Sequence, residues 1–186
     1  MAKFTPMKIS GAWIIESEIH SDNRGEFREW FKADELMKET GIDFNPVQAN
    51  VSRSSKSVIR GIHFSNAKSG QAKLITCMTG KIMDVVVDVR PNSATFMKWE
   101  AVELSPYSGV SIFIAGDLGH AFQSLYDETV IAYLLSSNYS PENEFSINPL
   151  DSDLAIDWAI SRPILSEKDS HASGFRELLG YESNSR

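Results

Sequence analysis

The chain has 186 residues, a formal net charge of −7, 42% hydrophobic residues and a single cysteine. With no basic run it has no electrostatic footprint for nucleic acid or an anionic membrane surface, and one cysteine excludes an internal disulfide framework and suits a reducing compartment. No apolar run approaches the roughly 18 residues of a membrane span, and the start MAKFTPMKISGAW lacks a signal-peptide core, so a cytoplasmic protein forming one domain over residues 1–186 is expected.

In chain order, Ile9–Glu16 reads as a short strand and His20–Gly25 as a turn by composition. Glu26–Phe31 alternates as a strand would, with Phe27, Glu29 and Phe31 on one face and Arg28 and Trp30 on the other. Ala33–Thr40 reads as a helix ending at Gly41. Pro46–Ser52 reads as a strand that puts Gln48, Asn50 and Ser52 on a common face. Val58–Phe64 is a further strand, followed by the apolar runs Lys73–Met78 and Ile82–Val89. Thr79-Gly80 separates these two runs and predicts a buried hairpin. Strand-like runs then recur near Trp99–Leu104, Gly109–Ile114, His120–Leu125, Thr129–Ser136 and Glu144–Ile147. Ser152–Trp158 and Phe175–Leu179 read as short helical pieces, and Tyr181–Arg186 as a loose end. Many short strands without βαβ alternation predict an all-β fold, a jelly-roll-like barrel with a few short helices.

Into this apolar sheet the sequence places Arg60, His63, Lys73, Asp84 and Asp88. Ionisable side chains are costly in a core unless they are paired or face a cavity, so the set points to a pocket with polar work to do. A metal is not expected. Such a site takes three or four His, Asp or Glu ligands, often two histidines one residue apart, whereas His63 and His120 stand among Ser, Ala and Phe and the remaining two, His20 and His171, lie in turn-like segments. Cys77 has no activating neighbour, no serine stands in a G-x-S-x-G elbow, and no phosphate-binding glycine loop is present. What remains is proton transfer, with His63 as base, Tyr133 or Tyr139 as acid and Lys73 as charge stabiliser.

Several segments carry a family resemblance. They are Asn23-Arg24-Gly25-Glu26-Phe27, Val47-Gln48-Ala49-Asn50, Ile59-Arg60-Gly61-Ile62-His63-Phe64, Gln71-Ala72-Lys73-Leu74, Asp84–Arg90, Gly119-His120-Ala121-Phe122, Tyr133 with Tyr139, and Leu165–Asp169. In that order they resemble the motifs of the dTDP-4-dehydrorhamnose 3,5-epimerase family, over roughly residues 8 to 170. Gly119-His120-Ala121-Phe122 and the run Thr129–Ser136 look more like the modified-deoxysugar branch than the rhamnose enzyme. Ser65 and the run Ile114–Leu118 also depart from the rhamnose pattern.

The resemblance implies a cupin-like jelly-roll homodimer that inverts C3, C5 or both of a dTDP- or CDP-linked 4-keto-6-deoxyhexose, without metal or cofactor. By resemblance His63 is the base, Asp169 its dyad partner, Tyr133 the acid and Lys73 the stabiliser of the developing oxyanion. Arg24, Glu29, Gln48, Asn50, Arg60, His120, Glu144 and Lys168 resemble the family's contacts to the nucleotide, diphosphate and sugar, and Tyr139 resembles the residue stacking on the base. Two rivals are a sugar-nucleotide binding module without catalysis and a metal-dependent cupin. One geometric condition attaches to the site: Arg60 and His63 have opposite strand parity, so both enter one cavity only if Gly61 marks a bulge.

Overall fold

A computed structural model describes residues 2–65, 70–178 and 180 of the chain. Two antiparallel sheets face each other. One is built from β1 (Lys3–Pro6), β2 (Ala12–Glu16), β5 (Gln48–Ser54), β7 (Lys73–Thr79), β10 (Val110–Ile114) and β12 (Thr129–Leu135), in the order β1-β2-β10-β7-β12-β5. The other holds β6 (Ile59–Ser65), β8 (Ile82–Val87), β9 (Trp99–Leu104), β11 (Gly119–Ser124) and β13 (Glu144–Ser146), in the order β13-β6-β11-β8-β9. A separate hairpin, β3 (His20–Asp22) with β4 (Gly25–Phe27), stands outside both.

Alternation along the strands explains the layering, because successive side chains point to opposite faces. Ile75, Cys77, Ile112 and Ile131 from the first sheet meet Ile82, Val86, Leu104 and Phe122 from the second, all buried, and form the core between them. The residues of opposite parity also bury themselves. Val85, Val87 and Ala121 on the back of the second sheet are covered by Leu154, Ile156 and Phe175 of the C-terminal segment. Leu74 and Phe113 on the back of the first are covered by Leu36 and Phe44. Leu36 belongs to α1 (Ala33–Thr40), which has Asp34 and Glu35 in its first turn, Lys38 in its last, and Gly41 closing it at φ 74°. Those charges complement the helix dipole, and glycine accepts the left-handed closing conformation without a Cβ penalty.

The strand runs from Trp99 onward and the helix at Ala33–Thr40 lie where the sequence puts them. Elsewhere the structure corrects it. β7 and β8 do not pair: the turn at Thr79-Gly80 carries the chain from one sheet to the other, with β12 and β10 flanking β7 and β11 and β9 flanking β8. Gly80 is needed there because a Cβ would stand 2.4 Å from Thr129 Oγ1, at φ +78°. Ile9 lies in the turn between β1 and β2, and its N–H donates to Glu100 on β9 instead of joining a strand. His20–Asp22 is strand, with only Asn23 and Arg24 left as turn. β4 stops at Phe27, so the expected strand face of Phe27, Glu29 and Phe31 does not form. Ser152–Trp158 contains no helix. There Asp151 accepts from the N–H groups of Asp153 and Leu154, and Trp158 donates to Pro149 O. α2 (Glu167–Ser170) has no counterpart among the expected helical pieces and α3 (Phe175–Leu178) has one, while Leu179 and Tyr181–Arg186 lie outside the described residues. No described helix is long and apolar enough to cross a membrane.

Candidate active site

A cavity of about 500 Å³ opens between the free edge of the first sheet, β5, and the β6–β13 side of the second. Five strands contribute side chains to it. β5 offers Gln48 and Asn50, β6 offers Arg60 and His63, β7 offers Lys73, β11 offers His120 and β12 offers Tyr133. Tyr139 and Glu144 close one end, and Lys168 and Asp169 of α2 close another.

The bulge that the sequence required is present. His120 pairs with His63 and Phe122 with Arg60, so two residues between the paired positions on β6 face one on β11. Gly61 sits in that interval at φ +116°, and a Cβ there would lie 2.5 Å from His120 O and 2.7 Å from the Ala121 Cβ. Only glycine allows the backbones to approach so closely, and the extra residue turns both Arg60 and His63 into the cavity.

His63 Nε2 lies 2.7 Å from Asp169 Oδ1, whose side chain is only 4% exposed. Ser166 prepares that carboxylate: its hydroxyl accepts the Asp169 N–H and caps α2. Burial alone would raise the Asp169 carboxyl, but hydrogen bonding and charge from His63, together with Ser166 and the Gly61 backbone, hold it below the usual carboxylate range. With Nε2 engaged by a carboxylate, Nδ1 is the ring nitrogen left to take a proton. α2 reaches this position because the preceding segment is pinned. Val58 and Ile164 form a parallel bridge, and Gln123 exchanges two hydrogen bonds with the Ile160 backbone.

Lys73 is buried, with its Nζ 3.4 Å from His63 O. Burial pushes its ammonium down from the ordinary lysine range, and the charges of Glu144 and Asp84 oppose that. A second His–Asp pair stands directly across the β-ladder from the first: His120 Nε2 is 2.9 Å from Asp84 Oδ2, and Asp84 is fully buried. Tyr133 lies on the opposite wall, on β12, beside Asn50 and Ile75 in register. Arg60 is braced by Ser54 Oγ and Arg53 O.

Eleven of the thirteen sequence-derived candidates therefore line one cavity: His63, Lys73, Tyr133, Asp169, Gln48, Asn50, Arg60, His120, Tyr139, Glu144 and Lys168. Arg24 and Glu29 do not. Arg24 projects from the β3–β4 turn, 85% exposed, and pairs with Asp22; Glu29 pairs with Lys32 at 2.6 Å near α1. Sequence reasoning missed Gln71, Phe122, Ile131, Leu135 and Ser166 as lining residues. Gln71 and Ser166 lie inside the motifs, and Ile131 and Leu135 share the parity of Tyr133, which is the signal that could have found them. Among the described residues no group of three or more His, Cys, Asp or Glu is arranged to hold a metal ion.

The model of the dTDP-4-dehydrorhamnose 3,5-epimerase family matches residues 6–177. The chain belongs to that family. It is 45% identical over 168 residues to a dTDP-4-dehydro-6-deoxyglucose 3-epimerase of a Streptomyces species, covering 90% of this chain and 86% of the relative. Among solved structures it is similar to NovW, a 4-keto-6-deoxy sugar epimerase from the novobiocin biosynthetic gene cluster of Streptomyces spheroides, with a TM-score of 0.93 at 37% identity over 97% of this chain and 92% of the other. It is also similar to ChmJ, a 3'-monoepimerase from Streptomyces bikiniensis solved with dTDP-quinovose, with a TM-score of 0.90 at 42% identity over 95% and 90% of the two chains. The family's fold is the cupin-like jelly roll described above, and its chemistry is that of an isomerase.

Proposed function

We propose that this protein inverts C3, C5 or both of a nucleoside-diphosphate-linked 4-keto-6-deoxyhexose, in deoxysugar biosynthesis. The observation that carries this reading is that His63 and Tyr133 stand on facing sheets, on opposite sides of one cavity. A ketone acidifies the hydrogens on both adjacent carbons, so a single base can abstract one of them. Inversion then requires a proton delivered to the other face of the ring, and groups on opposed walls meet that requirement.

In this mechanism His63 Nδ1 removes the proton and Asp169 stabilises the imidazolium that results. Negative charge develops on the 4-oxygen, where Lys73 and His120 supply positive charge or a hydrogen bond. Tyr133 returns a proton from the far side. Arg60, Asn50 and Lys168 hold the diphosphate, Arg60 through its planar guanidinium fork, and Tyr139 stacks on the base. Glu144 faces the sugar end beside Lys73. Every step is a proton transfer between side chains and substrate, so the reaction proceeds without a cofactor, and exhaustive chelation is expected to leave the rate unchanged.

Arg24 and Glu29 act, in this proposal, from a second copy of the chain. The back of the first sheet supports such a homodimer. Val47, Val51 and Met78 are exposed there at 61%, 72% and 51%, an apolar face of the kind that marks an interface.

Incubation with a 4-keto-6-deoxyglucose nucleotide in heavy water tests the chemistry. Deuterium is expected on each inverted carbon, and magnetic resonance reads whether that is C3, C5 or both. His63→Ala should abolish the exchange, whereas Tyr133→Phe should permit exchange and suppress inversion. Exchange persisting in His63→Ala would remove that residue as the base. Tight nucleotide binding with neither exchange nor inversion would make the protein a binding module.

A further inference from the structure

Three polar groups at the cavity mouth form an ordered chain, and its direction is set by the one group in it that cannot turn. The Tyr139 backbone N–H donates to Gln48 Oε1 at 2.9 Å. Gln48 Nε2 donates in turn to Asn50 Oδ1, also at 2.9 Å. A side-chain amide can present either its oxygen or its nitrogen, but a backbone N–H is a donor only. The Gln48 oxygen must therefore face Tyr139. That leaves its nitrogen facing Asn50, so the Asn50 oxygen must face Gln48. The consequence falls on Asn50 Nδ2, whose two N–H groups are left for the cavity with no protein partner among the described residues.

We propose that Gln48 is a positioning residue that locks Asn50 as a donor-only contact for the diphosphate. This rests on the nucleotide-sugar reading of the cavity. Without Gln48, the Asn50 amide can rotate and offer its oxygen to the phosphates, which have no proton to give it. The result fits the neighbouring groups. Arg60 spends its Nε on Ser54 and its Nη2 on Arg53 O, and its remaining N–H groups are donors, as are those of Lys168. The mouth thus presents donors to an anion from β5, β6 and α2. The same chain ties this donor set to the loop carrying Tyr139, which Gln71 Nε2 also holds through Ser137 O. Gln71 therefore keeps that loop, and the stacking residue on it, in place when Gln48 is replaced.

The test is a double-mutant cycle read by calorimetric titration of the full-length protein with dTDP. Gln48→Met keeps the side-chain length and removes both hydrogen bonds; Asn50→Ala removes the presented donor. Each single variant is expected to bind dTDP about five- to tenfold more weakly, the worth of about one hydrogen bond. The double variant should bind no more weakly than Asn50→Ala, because Gln48 has nothing left to orient. Losses that multiply in the double variant would make Gln48 an independent ligand contact and overturn the proposal, as would unchanged affinity in Asn50→Ala. Failure of the unsubstituted protein to bind dTDP would overturn the nucleotide reading itself, and the relay with it.

Discussion

Asp169→Asn replaces one carboxylate oxygen with an amide nitrogen and leaves the size of the side chain unchanged, yet it should cost most of the activity. In the native site the 2.7 Å contact joins His63 Nε2 to a carboxylate that is almost fully shielded from water. A hydrogen bond to a charged group is worth about 1.5–3 kcal/mol, and the shielding argues for the upper end. About 3 kcal/mol lost from the transition state, where the imidazole carries its extra proton, is a fall of roughly 150-fold. A second effect adds to it. The asparagine amide can donate to Nε2, which moves the ring proton to Nδ1 and occupies the atom that should act as base. Together the two effects predict a decrease in the deuterium-exchange rate of about 10² to 10³-fold. The assay follows label entering the 4-keto sugar under saturating substrate, with dTDP titration confirming that nucleotide binding changes little. An exchange rate within threefold of the native protein would refute the dyad.

Gly61→Ala forces a Cβ to within 2.5 Å of His120 O at a backbone conformation that disfavours it, so chemical denaturation should show a loss of about 2–4 kcal/mol; an unchanged midpoint would mean that the bulge is not needed. Asp88 is fully buried and accepts from Arg90, Ser93 and Thr95, contacts that overcome its burial and hold its carboxyl far below the usual range. A depressed carboxyl stabilises the fold above its unfolded value of about 4, and that contribution fades as pH falls towards the folded value. Asp88→Asn should therefore be about 3 kcal/mol less stable at pH 7, with a gap to the native protein that narrows below pH ~4; a gap independent of pH would sink the argument. Mixing Arg24→Ala with His63→Ala chains should restore activity that neither has alone, since in the proposed homodimer a mixed pair holds one site with both side chains intact. No recovery despite confirmed subunit exchange would leave Arg24 outside the site.

Much of this protein was legible from residue order. The strand runs at Trp99–Leu104 and Thr129–Leu135 and the helix ending at Gly41 follow from local periodicity and turn chemistry, which act over a few residues. The inward set Gln48 with Asn50 follows from strand parity in the same way, and the Arg60–His63 parity conflict, resolved by a bulge, points to Gly61 from the sequence alone. Other features depend on partners distant in sequence. Lys73–Met78 and Ile82–Val89 are apolar on both faces, so they carry no pattern that says which strands lie beside them; the pairing of β7 with β10 and β12, and of β8 with β9 and β11, is decided by the whole sandwich. Ser152–Trp158 has a helical spacing of apolar residues, but Leu154 and Ile156 are spent covering the back of the second sheet, and tertiary burial overrides local propensity. The dyad itself joins residues 106 apart in the chain, because the C-terminal segment crosses that sheet and returns at Ile164 to set Asp169 against His63. Arg24 and Glu29 stand apart from this set: local sequence pairs them with Asp22 and Lys32, and in the fold they stay outside the cavity, because the β3–β4 hairpin that carries Arg24 belongs to neither sheet.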